Sequence, residues 1–154
     1  LHYPPYSGEI KKDQMRINEH TDYGSITLLW RFDDVPGLQV FDRGKEEWTD
    51  VPIVENSIVL NVGDMLQRWT NDLLKSTPHR VINTEMTRSR YSMPYFVDPG
   101  REVIIDNLTD ETDKYPPISA HEYLKWRLAQ SYTDNNYIEN EDVADEGAKH
   151  ITNY

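Results

Sequence analysis

From residue 15 to residue 97 the chain is a train of short β-prone runs, each broken by Gly, Pro, Asn or Asp. Met15, Ile17 and Glu19 alternate with Arg16, Asn18 and His20, which is the two-residue period of a strand. Residues 25–32 (SITLLWRF) are rich in β-branched and aromatic side chains and read as a buried strand. Asp33-Asp34-Val35-Pro36-Gly37 is a turn, followed by short strands over residues 38–41 and 48–51. Residues 57–62 (SIVLNV) form a strand ended by Gly63, and residues 65–69 read as the next. Asn71-Asp72 reads as a hairpin turn with its return strand inside residues 73–83, and residues 90–97 are the last strong run. Ahead of them all, Leu1 to Tyr3 reads as a strand end stopped by Pro4 and Pro5. About eight strands at this spacing predict an all-β core of the sandwich, barrel or jelly-roll type.

After Pro116-Pro117 the period changes. Ser119 with Glu122 three residues on is a capping box, and Tyr123, Leu124, Arg127, Leu128 and Tyr132 follow at helical spacing. A C-terminal α-helix is therefore expected over residues 120–132. The expected division is a core over residues 1–118, the helix segment over residues 119–132 packed on it, and an acidic, loosely ordered tail over residues 133–154. A length of 154 residues suffices for one such unit, and four tryptophans with ten tyrosines fit a folded chain. The net charge of −11 repels phosphate backbones, so nucleic acid is not an expected partner. No apolar run approaches the ~18 residues of a membrane helix, and the first residues do not read as a leader; a cytoplasmic protein is the expectation.

Cysteine is absent, so disulfides and thiolate metal sites are excluded and any metal is left to His, Asp or Glu. His20 and Asp22 are two apart at the end of a strand-like run, a spacing that lets both side chains reach one point. His79, in STPHRV, is the best candidate for a third ligand, with a satisfied structural histidine as the competing reading. Two histidines and one carboxylate on one face of an octahedral ion leave three positions open, which suits non-haem Fe(II) chemistry with O2 and a cosubstrate. Manganese or nickel fits the same donors. Arg90 and Ser92 also share a strand face, and a guanidinium beside a hydroxyl makes a fork for a carboxylate. A surface arginine with an ordinary strand serine is the alternative.

These residues, in this order, resemble the 2-oxoglutarate and Fe(II)-dependent dioxygenases of the isopenicillin N synthase-like branch. The resemblance rests on HTDYGSITLL, DDVPGLQVF, WTDVP, SIVLNVGDMLQRWTND, KSTPHRVIN, RYSMPYFVDP and YPPISAHEYLKWRLAQSY. It implies a distorted double-stranded β-helix, or jelly roll. It implies iron ligation by His20, Asp22 and His79, and a 2-oxoglutarate carboxylate held by Arg90 and Ser92. Tyr3 matches a tyrosine that often helps hold the cosubstrate, and Phe96 a position that often lines the substrate pocket; plain core packing competes for both. The implied activity is oxidation of a small organic substrate, by hydroxylation or desaturation, with Fe(II), 2-oxoglutarate and O2 and release of succinate and CO2. An oxidase of the same fold that does not use 2-oxoglutarate, or an inactive jelly-roll binding module, are the alternatives. Members of that family usually carry a large N-terminal part, and this sequence begins near the strand before H-x-D. Apolar surface left by that part is therefore expected to need covering by a second copy or another chain.

Overall fold

A computed structural model describes residues 1–11, 14–84 and 86–131. The expected acidic tail and Tyr132 lie outside the described residues. In chain order the elements are β1 (His2–Tyr3), β2 (Ile17–His20), β3 (Ile26–Arg31), β4 (Leu38–Asp42), β5 (Glu47–Asp50) and β6 (Ile58–Val62). They continue with α1 (Asp64–Trp69), β7 (His79–Val81), β8 (Arg90–Val97), β9 (Ile104–Ile105), β10 (Ile118–Ser119) and α2 (Ala120–Ser131).

The strands pair entirely antiparallel into two four-stranded sheets, β1-β8-β3-β6 and β2-β7-β4-β5, and a β9–β10 pair. Apart from the β4–β5 hairpin, neighbours in the two large sheets come from distant parts of the sequence, and one cavity is lined by both sheets. This is the distorted double-stranded β-helix, or jelly roll, with a C-terminal helix. Directly paired residues share a sheet face. In the first sheet, Thr27 pairs with Asn61 and Phe96, and Leu29 with Val59 and Pro94. This set faces the cavity. The alternate set, built on Ile26, Leu28 and Trp30 with Ile58, Leu60, Val62, Met93, Tyr95 and Val97, faces outward.

Residues 65–69 are not a strand. They belong to α1, whose N-cap is Gly63. Met, Leu, Gln and Arg favour helix, and none of them is β-branched. Three amides at the start of this helix find acceptors in the loop after β2: Gly63 N–H donates to Ser25 O at 2.9 Å, Asp64 N–H to Asp22 O at 2.8 Å and Met65 N–H to Gly24 O at 3.1 Å. A helix start is left with unpaired donors, and that loop supplies the carbonyls. A Cβ on Gly63 would run into the Gly24 carbonyl, so the approach needs glycine. Asn71-Asp72 is likewise no hairpin. Both residues take positive φ, 51° and 72°, directly after the helix end, where short polar side chains tolerate left-handed backbone. The expected return strand shrinks to the three residues of β7, because residues 73–78 are consumed in leaving the helix.

The apolar core cluster is Met65, Ile105, Ala120 and Tyr123, with Trp69, Ile118, Leu124 and Trp126 packed around it. It joins α1, the β9–β10 pair and α2. The space between the large sheets is lined instead by buried Asp22, Thr27, Arg90 and Ser92 among aliphatic side chains. The capping box forms as expected: Ser119 Oγ donates to Glu122 Oε2 at 2.7 Å, and Glu122 N–H donates to Ser119 Oγ at 3.2 Å. Leu128, assigned to the apolar stripe from its spacing, is exposed.

Candidate metal centre

His20 is the last residue of β2 and His79 the first of β7, and the two are direct cross-strand partners. Their rings lie 4.2 Å apart between centroids, tilted by 53°. Asp22 lies beyond the end of β2, in the loop held by the α1 amides. Its convergence with His20 is therefore a property of that loop rather than of strand pleating. Asp22 Oδ1 sits 3.9 Å from His20 Nε2 and 3.6 Å from His79 Nε2. Among the described residues, this trio is the group whose donor atoms, within 4.8 Å of one another, can hold a metal ion.

The protonation pattern suits a cation. His20 Nδ1 faces Asn18 O at 2.8 Å and His79 Nδ1 faces Thr77 O at 3.1 Å. A carbonyl only accepts, so each Nδ1 carries a proton and each Nε2 is the atom turned toward Asp22. Burial pushes the His79 imidazole below its ordinary pKa against the opposing pull of the Asp22 carboxylate, with His20 adding to the lowering. Its ring is neutral near pH 7, as a ligand must be.

Asp22 has further partners on the cavity side. Its Oδ2 accepts from Thr27 Oγ1 at 2.6 Å and from Asn61 Nδ2 at 2.8 Å. The loop is tied from its other side as well. Thr21 Oγ1 donates to Asp64 Oδ2 at 2.8 Å, and Arg127 of α2 reaches the same oxygen at 2.6 Å. Thr27, Asn61 and Asp64 were not singled out in the sequence, and Arg127 only as part of the helical stripe. The available signal was a threonine and an asparagine inside otherwise apolar strands, ITLL and IVLNV.

The cavity beside the trio measures about 280 Å³ and also takes in Arg90, Ser92, Tyr3 and Phe96. Arg90 is only 2% exposed, its Nη1 has no hydrogen-bond partner, and its guanidinium lies over the Tyr3 ring at 4.9 Å. Ser92 is buried two residues on, on the same face. An unpaired buried cationic donor is expensive unless an anion meets it. Phe96 is 59% exposed, so its ring is open rather than packed in a core. The structure thus brings all seven sequence-selected residues to one cavity.

Residues 1–99 match the family model described as the 2OG-Fe(II) oxygenase superfamily. A 2-oxoglutarate-Fe(II) type oxidoreductase of Emericella nidulans is 41% identical over 86% of this chain and 39% of its own length. A second of that description, from Metarhizium majus, is 38% identical over 85% of this chain and 41% of its own length. A full-length Neurospora crassa protein solved in complex with alpha-KG and thymine superposes with a TM-score of 0.77. It shares 40% identity across 85% of this chain and 43% of that one. The chain spans about two fifths of the length of the curated relatives it matches.

Proposed function

Because the chain belongs to the 2OG-Fe(II) oxygenase superfamily, we propose that it is the catalytic part of a 2-oxoglutarate-dependent dioxygenase acting on a small organic molecule. In this reading the substrate is hydroxylated or desaturated. O2 is reduced, and 2-oxoglutarate is split into succinate and CO2. One oxygen atom enters succinate and the other enters the product, or water in a desaturation. The observation that carries the reading is one cavity joining a two-histidine, one-carboxylate cluster to a buried guanidinium whose Nη1 has no partner.

His20, Asp22 and His79 would hold ferrous iron, which supplies the O2-activating redox chemistry when bound. Arg90 and Ser92 grip the remote carboxylate of 2-oxoglutarate: Arg90 Nη1 finds its missing acceptor there, and the Ser92 hydroxyl adds a second donor. Tyr3 supports the guanidinium face. Leu29, Val40 and Val59 line the same cavity and keep water from the reacting atoms. Phe96 offers its open ring to the substrate.

The same reading divides the chain into a catalytic core over residues 1–118, a segment over residues 119–132 whose helix α2 (Ala120–Ser131) braces that core, and the acidic stretch of residues 133–154. Further polypeptide, either a second copy or another chain, covers the apolar outer face of the first sheet. The setting is cytoplasmic, where reducing conditions keep iron ferrous. Anaerobic titration with Fe(II) and 2-oxoglutarate tests the core of the proposal. The expected result is a weak visible charge-transfer band, and on adding air, O2 uptake matched by succinate. Uptake without succinate points to an oxidase of the same fold. Failure to form the band refutes the cosubstrate assignment.

A further inference from the structure

We propose that Thr27 and Asn61 are positioning residues that decide which oxygen of Asp22 a divalent cation receives, and so how much of its coordination sphere stays open. The inference rests on the metal-binding reading above and deepens it. Thr27 lies on β3 and Asn61 on β6, and the two are direct cross-strand partners. Their side chains therefore rise side by side from the same face of the sheet. Both reach a single atom, Asp22 Oδ2, at 2.6 Å and 2.8 Å.

An ionised carboxylate oxygen has about two lone-pair sites. Two donors fill those of Oδ2. The other oxygen, Oδ1, points at both imidazole Nε2 atoms. Oδ1 is therefore the atom offered to a cation, and Oδ2 is withheld from it. A carboxylate free to turn could ligate through both oxygens and take up one more position on the metal. Holding it by one oxygen keeps that position for small molecules. The clamp matters here because Asp22 stands in a loop beyond the end of β2, where no strand pairing fixes its side chain. The α1 amide of Asp64 fixes the Asp22 backbone, and Thr27 and Asn61 fix its head.

Thr27→Val keeps shape and β-branching and deletes one donor; Thr27→Ser keeps the donor. The test uses Co(II) alone, titrated calorimetrically and followed by its visible ligand-field bands, whose position and intensity depend on coordination number. Loss of a hydrogen bond to a metal ligand typically weakens the metal about 10–100-fold. That is the expected loss of Co(II) affinity in Thr27→Val, with altered bands, and Thr27→Ser is expected to restore both. If Thr27→Val does not fold, Asn61→Ala, at a less enclosed position, is expected to show the same weakening and band change. Unchanged affinity and unchanged bands in the folded variant, with only a lower unfolding midpoint, overturn the clamp and leave the metal centre standing. A wild-type chain that takes up no Co(II) overturns both.

Discussion

Arg90 is held where water does not reach it and where Nη1 has nothing to donate to. Keeping a guanidinium in that state works against folding, so the residue makes sense only if an anion completes it. Arg90→Met is therefore expected to separate stability from function. Charge-assisted hydrogen bonds are worth about 1.5–3 kcal/mol, so 2-oxoglutarate affinity should fall by roughly 10–100-fold, read from the charge-transfer titration. The midpoint of thermal unfolding of the metal-free protein should not fall, because the buried unpaired charge disappears with the side chain. A large drop in that midpoint would mean that Arg90 is a structural strut. The pairing of Arg90 with Ser92 was legible in the sequence because a strand repeats every two residues. Tyr3 and Phe96 were legible only by resemblance. Thr27 and Asn61 were not, since their roles come from contacts with Asp22 across 5 and 39 residues of chain.

Among the elements, the strands up to β8 declared themselves through β-branched runs and turn residues, and β9, β10 and α1 did not. Six residues are too few to display a helical period, and the reason they coil lies in the carbonyls of a loop some forty positions earlier. That dependence has a use, since α1 and the loop carrying Asp22 cannot move separately. The terminal helix joins the same assembly through Arg127, which bonds Asp64 and lies over the Tyr23 ring at 4.7 Å. Arg127→Met should weaken folding by about 1.5–3 kcal/mol in urea melts, as expected for a hydrogen bond between charged groups away from bulk water. It should also lower Co(II) affinity, because Thr21, between His20 and Asp22, loses a partner. An effect on folding with no effect on the metal would confine Arg127 to the helix. Ser119→Ala removes one half of the capping box and should cost about 1 kcal/mol in the same melts without touching the metal.

At the scale of the molecule, the outward face of the β1-β8-β3-β6 sheet is the unusual feature. Leu60 and Tyr95 flank Leu28 there and are 59% and 60% exposed, with Ile58, Met93 and Tyr91 also open. In the proposed reading this apolar sheet face is the surface that a second copy or another chain covers. Leu60→Lys with Tyr95→Lys should therefore shift the chain toward monomer in sedimentation velocity and reduce binding of a hydrophobic dye. A wild-type monomer at tens of micromolar that binds no dye removes the argument. The cross-strand meeting of His20 and His79 has its own outcome for the whole structure. These positions are 59 residues apart along the chain, on β2 and β7, and a cation held by both would act as a rivet through the β-helix. A ligand at a hundred times its dissociation constant adds about 2.7 kcal/mol to folding by mass action. Heat resistance should thus follow metal supply, and chelation should soften the sheet that carries the histidines before it disturbs the helical end.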